Sequence, residues 1–251
     1  MTPESSPPPA AAMDRAALLA GLRARVARLD RSGQHGAERS TLPLAPELDA
    51  HLPWGGLPLA GLHEVLGEDP GAIVGFSALL LARAQTALPG RSLLWIASDP
   101  DAYPPGLATL GLDAARLILV RAPRQADALW AAEEALRSPA IAAVLLLGAK
   151  PDLTEARRLQ LAAETGGGIG LLLRETAEEA GPGPALTRWR IAPCSAGSVT
   201  PHHLGEPAWD IVLLRARGGR PGAWLAEWDT AQARLVIPTA RTAAEPRRRR
   251  A

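Results

Sequence analysis

The chain of 251 residues has a single lysine, Lys150, among 27 basic residues, and a single cysteine, Cys194. One cysteine excludes an internal disulfide and fits a reducing compartment; Cys194 reads as a small packing residue and not a nucleophile. No apolar run approaches the roughly 20 residues that a membrane helix needs. The Pro- and Ser-rich start, Met1 to Ala12, lacks the basic cluster of a secretory signal. The expectation is a soluble, cytoplasmic protein with no membrane partner. Net charge is only +1, which selects neither nucleic acid nor acidic partners. Its distribution is uneven, with eleven arginines against five acids from Leu186 onward and a slightly acidic body upstream. A basic third of this kind is either a docking surface or a solvated tail.

The scarcity of lysine matters most at one place. Leu62, Val65 and Leu66 mark an apolar strand that runs into Gly67-Glu68-Asp69-Pro70-Gly71, and a helix follows. A strand, a Gly-rich turn and a helix N-terminus form a natural phosphate cradle, because backbone N–H groups and the helix dipole face the anion. The chemistry there needs G-x-x-x-x-G-K-[ST], with Lys on the terminal phosphates and the hydroxyl on the metal. Counted from Gly67, the last three places are Ala72, Ile73 and Val74. Arginine seldom replaces that lysine, since a planar fork differs from a compact ammonium. The scaffold is present in the pattern and the chemistry is absent from it.

Gly55-Gly56-Leu57-Pro58, then Gly61, Glu64, Gly67 and Glu68, follow the pattern of the RecA-type recombinase core. From roughly Pro46 to Pro238 the chain resembles the ImuA family, RecA-like and SulA-like accessory proteins of inducible translesion DNA synthesis. The run from Arg215 to Trp224, R-x-R-G-G-R-P-G-x-W, is similar to one typical of that family. In the RecA-like ATPase pattern the strand Ile141 to Leu147 should be followed by a metal-supporting acid, and position 148 is Gly. Asp99 stands where the recombinases carry the carboxylate that activates water. Without a phosphate clamp it has nothing to act on, and Asp99-Pro100-Asp101 reads as a cap for the next turn.

The remaining order of elements indicates the fold. Residues 1–12 are expected to be disordered. Within 13–45, a helix from Asp14 to Asp30 carries Leu18, Leu22, Val26 and Leu29 on one stripe, and a linker follows. That stripe either packs on its own core or docks on a neighbouring subunit or partner. Pro43 to Pro58 reads as loop. Helices are expected over 72–88, 103–110, 124–137 and 152–164, alternating with strands over 92–97, 116–120, 141–147 and 169–173. Such alternation implies βαβ crossovers and a parallel sheet. The rhythm changes after Gly181-Pro182-Gly183-Pro184. Strands over 186–191, 209–215, 224–228 and 234–237 lack intervening helices, the sign of an antiparallel extension on one edge. The fold class is therefore α/β with a mainly parallel sheet flanked by helices, and the resemblance implies that 46–180 is a degenerate RecA-like core. It carries the N-terminal helix, the antiparallel extension (181–239) and a basic tail from 240 to 251.

Other candidate groups carry less. His202-His203 have no acidic or Cys partners at ligand spacing, so no metal is assigned. Ser195 to Ser198 lack a nucleophile-elbow pattern. Glu178 and Glu179 read as a solvated helix end, and the Gly166 to Gly170 run precedes a strand instead of following one. Neither a catalytic residue nor a cofactor is assigned. The hairpin tip Arg217-Gly218-Gly219-Arg220 stands beside Trp224 and Trp228, which strand alternation puts on one face. Those tryptophans either stack bases or anchor a protein partner, or else they belong to the core. The tail arginines Arg247, Arg248, Arg249 and Arg250 are a second basic docking candidate.

The resemblance implies a non-catalytic platform in the SOS-induced mutasome. It would bridge a catalytically inactive Y-family-like polymerase homologue and an error-prone replicative-type polymerase, with RecA and a weak DNA contact as further candidates. The alternative is a SulA-like inhibitor of the tubulin-like division protein. The additional N-terminal helix and basic extension favour the first, because a minimal inhibitor needs only the core.

Overall fold

The structure is a computed structural model that describes residues 40–176, 181, 183–194 and 206–238. The elements in chain order are β1 (Thr41–Leu42), α1 (Pro46–Asp49), β2 (Leu57–Pro58), β3 (Gly61–Gly67), α2 (Pro70–Ala87), β4 (Ser92–Ala97) and α3 (Pro104–Thr109). Next come β5 (Leu117–Arg121), α4 (Gln125–Arg137), β6 (Ile141–Leu147), α5 (Leu153–Gly166) and β7 (Ile169–Glu175). The chain continues with β8 (Thr187–Pro193), β9 (Ala208–Ala216), β10 (Gly222–Asp229) and β11 (Arg234–Val236). Nine strands form one sheet in the order β11-β10-β9-β8-β3-β7-β6-β4-β5. From β8 to β5 all neighbours are parallel, and β8, β9, β10 and β11 pair antiparallel in succession. This mostly parallel mixed sheet with flanking helices is the α/β architecture that the βαβ rhythm implies, and it is consistent with the RecA-like core that the resemblance implies.

Two expectations need correction. The antiparallel extension begins at β9, not at residue 181, because β8 lies parallel to β3, with His63 opposite Thr187 and Leu66 opposite Arg190. The sequence between β7 and β8 has no helical period to announce a parallel pairing. Pro43 to Pro58 is also more than loop. Thr41 and Leu42 pair with Pro58 and Leu57, and α1 lies between these two strands in sequence, with Pro46 in its first turn.

Alternation along the strands divides the core into two layers. Val65, Trp95, Leu145 and Leu171 pack with Phe76 and Leu80 of α2 on one face. Leu62, Ile96, Val144 and Leu172 pack with Leu129 and Leu136 of α4 and Leu159 of α5 on the other. Eleven of the eighteen residues of α2 are buried, so it has no single apolar stripe. Leu42, Leu44, Leu48 and Leu52 belong to the same core cluster as α2, and Arg83 Nη1 donates to the Pro43 carbonyl at 2.6 Å. The segment from β1 to β2 thereby gives α2 further apolar cover beyond the sheet. Beneath this layer, His63, Thr187 and Trp189 form a buried chain of hydrogen bonds across β3 and β8.

Candidate functional site

Only Glu68 and Asp69 separate β3 from α2. The expected five-residue turn is therefore a two-residue corner, too short to wrap a phosphate. Gly67 is needed there by contact: a Cβ would stand 2.4 Å from the Ile191 carbonyl oxygen and 2.5 Å from Ile73 Cγ2. The helix start is already satisfied. Pro70 has no N–H, Asp69 Oδ1 accepts from Ala72 at 2.8 Å, and Ile73 N–H bonds the Asp69 carbonyl at 3.2 Å. Of the four amides that a helix terminus normally offers an anion, only that of Gly71 is left. Ile73, at the lysine place, is fully buried and Ala72 nearly so. An open cleft of about 450 Å³ remains beside the corner, lined by Gly67, Glu68, Asp69, Pro70 and residues 190–193. Its two carboxylates repel a phosphate where a lysine would attract one.

The strand ends nearby tell the same story. Gly148 follows β6 with φ +79°, a left-handed backbone that an acidic side chain would strain. Its N–H bonds the Leu173 carbonyl at 3.2 Å. Asp99, after β4, is well exposed and lies 3.6 Å from the Arg121 guanidinium. Lys150 is exposed, and its backbone exchanges hydrogen bonds with the Gln125 side chain. Its contacts lie with the start of α4, and it does not line the cleft.

The basic hairpin is largely engaged within the molecule. His51 Nδ1 donates to the carbonyls of Arg220 (3.2 Å) and Pro221 (2.9 Å), and Arg220 N–H returns a bond to the His51 carbonyl at 3.0 Å. A Cβ on Gly219 would sit 2.5 Å from that carbonyl oxygen, so the close approach requires glycine; Gly218 turns the chain at φ +76°. Arg217 donates to the Pro184 carbonyl at 3.0 Å, while Arg215 reaches Gly183 and Ala185 at 2.6 and 2.9 Å. The R-x-R-G-G-R-P-G-x-W run is thus a clasp that holds the loop after α1 and the crossover before β8. Trp224 is half-buried, edge-on to His51 at 4.9 Å, and Trp228 is core, its Nε1 donating to the Thr109 carbonyl at 3.0 Å. As a buried side chain Trp228 cannot serve as a stacking platform. Arg220 stays exposed at the tip.

No family profile matches the chain. Protein ImuA of Caulobacter vibrioides, from strain NA1000 / CB15N and from strain ATCC 19089 / CIP 103742 / CB 15, is 42% identical over 194 residues. The match covers 72% of this chain and 80% of that protein. The chain belongs to the ImuA family.

The pairing of several groups in this ImuA-family chain was not read from the sequence. Glu64 and Arg188, opposite each other on β3 and β8, form a buried ion pair at 2.5 Å. Arg188 also donates to the Gly181 carbonyl at 3.0 Å, so three arginines, 188, 215 and 217, grip the crossover before β8. Burial first, then the neighbouring Arg188 and Arg217, lower the pKa of Arg215 from its ordinary value. An acid inside an otherwise apolar strand was the available signal, since a buried carboxylate needs a cation. The stripe Leu18, Leu22, Val26 and Leu29, the pair His202-His203 and the tail Arg247, Arg248, Arg249 and Arg250 lie outside the described residues. Among the described residues no helix is long and apolar enough to cross a membrane.

Proposed function

We propose that the chain is a non-catalytic accessory protein of the damage-induced mutagenesis system, in which a RecA-like core has become a binding platform. Membership of the ImuA family supports the place in that system. The observation that carries the non-catalytic reading is the filled phosphate corner, where Glu68 and Asp69 stand and Ile73 is buried in the lysine place. Phosphoryl transfer depends on electrostatic stabilisation of the moving group, and the corner supplies charge of the wrong sign. The purified protein is expected to show no ATP turnover and no magnesium-dependent heat of nucleotide binding. DNA-stimulated turnover above background, abolished by Asp99→Asn, would overturn the reading.

The platform bridges an inactive Y-family-like polymerase homologue and an error-prone replicative-type polymerase in the cytoplasm. RecA and DNA are further contacts of the same assembly. Its docking groups are the N-terminal stripe, exposed Arg220 and the tail arginines, and Trp228, as a core residue, is not among them. Pull-down by each polymerase should weaken on deleting the residues after Ala240 or on changing Leu22 and Val26 to Glu. Undiminished capture by both variants would remove these segments from the interface.

A further inference from the structure

The two ends of the nine-stranded sheet are treated differently. β11 is three residues long, begins with exposed Arg234 and buries Leu235. Short, charged edges of this kind discourage pairing with other chains. β5, at the opposite end, has none of these protections through Val120. It reads Leu-Ile-Leu-Val-Arg, pairs with β4 in unbroken register, and contains no proline or lysine. Among the described residues no strand pairs with its outer side. Ile118 and Leu119 are 47% and 46% exposed, two of the six exposed large apolar residues of the described chain. Consecutive strand residues point to opposite faces, so among the described residues this edge is apolar on both faces and its outer backbone has no strand partner.

We propose that β5 pairs antiparallel with β5 of a second copy of this chain, continuing the sheet across a twofold axis. The strand is self-complementary about Leu119. Ile118 meets Val120 of the second copy, Leu119 meets Leu119, and Leu117 meets Arg121, so apolar cross-strand pairs form on both faces. The second copy brings its own Ile118 and Leu119 beside these residues, one on each face. The charges agree with this occupant. Arg116 lies 3.8 Å from Asp113, and Arg121 lies 3.6 Å from Asp99. Antiparallel pairing sets the Arg121 end of one copy beside the Arg116 end of the other, and each cation arrives with an acid of its own copy within 4 Å, which offsets part of the like-charge repulsion. This inference is independent of the mutagenesis reading, since it concerns self-association alone.

Sedimentation or light scattering of the full chain should give the mass of two copies. Ile118→Lys with Leu119→Lys should return the mass to one copy while the circular dichroism spectrum and melting temperature are kept, because both side chains are exposed. A second measurement does not depend on that variant folding. In a Cys194→Ser background, Leu119→Cys places two thiols across the axis, where directly opposed strand residues fall in the Cα range of a disulfide. Mild oxidation should then yield a covalent dimer, and Leu161→Cys on α5 should not. A wild-type chain that stays monomeric at every concentration would overturn the proposal. So would an oligomer that neither the double lysine variant dissolves nor Leu119→Cys cross-links, which would move self-association to another surface.

Discussion

Acid should weaken this protein through one buried ring. His63 is fully buried between β3 and β8, with Nε2 at 3.0 Å from the Pro58 carbonyl and Nδ1 at 2.7 Å from Thr187 Oγ1. A carbonyl only accepts, so Nε2 carries the proton. The neutral ring then accepts from the Thr187 hydroxyl, whose oxygen accepts from Trp189 Nε1 at 2.7 Å. Every side-chain polar atom of His63, Thr187 and Trp189 is used when the ring is neutral. Protonating Nδ1 would set a donor against a hydroxyl already committed to donate, in a site that cannot solvate the charge. Burial accordingly lowers the His63 pKa from 6.5 to about 4, with the Pro58 bond a smaller opposing effect.

The sign follows from linkage. Below pH 6.5 the unfolded chain takes up a proton that the folded chain refuses. The contribution of His63 is thus fully present above that pH and is lost as pH falls towards about 4. At about 1.4 kcal/mol per unit of pKa difference, the total loss is about 3 kcal/mol, of which about 2 kcal/mol is gone by pH 5. Urea unfolding of the wild type and of His63→Gln from pH 7.5 to 4.5 isolates the effect. The comparison cancels other titrating groups, including Asp49, whose pKa is raised mainly by burial. The stability difference between the two proteins should shrink by about 1.4 kcal/mol per pH unit below 6.5. A difference that stays constant over that range would refute the assignment of a neutral, trapped ring.

Glu64→Gln leaves Arg188 buried without its carboxylate and should cost about 3 kcal/mol in denaturant unfolding. An unchanged midpoint would mean that the pair is solvated. Gly67→Ala pushes a methyl into the Ile191 carbonyl and Ile73, so a loss of about 1–3 kcal/mol is expected, measured as a lowered melting temperature. Trp228→Ala should lose about 3–5 kcal/mol by thermal or urea unfolding, with the Thr109 carbonyl left without its donor. Full stability coupled to a lost partner contact would make it an interface residue instead.

Much of the core was legible from residue order alone. Ser92–Ala97 and Ile141–Leu147 have the expected strand bounds, because a parallel strand covered on both faces is a continuous apolar run. The empty phosphate fingerprint was equally plain, since Ala72, Ile73, Val74 and Gly148 are local facts of the sequence. What it could not disclose is which distant strands become neighbours. β8 has no local mark of lying parallel to β3, so the pairing of Glu64 with Arg188 and of His63 with Thr187 emerged only from the fold. The basic hairpin shows the same limit. Its arginines and tryptophans read either as a docking tip or as core tryptophans under an exposed tip, and within the molecule they bond the carbonyls of residues 50–51, 109 and 183–185. The residues of the hairpin determine that it can form and that it is basic. Whether those cations face a partner or their own backbone depends on contacts between segments up to 170 positions apart, which only tertiary packing brings together.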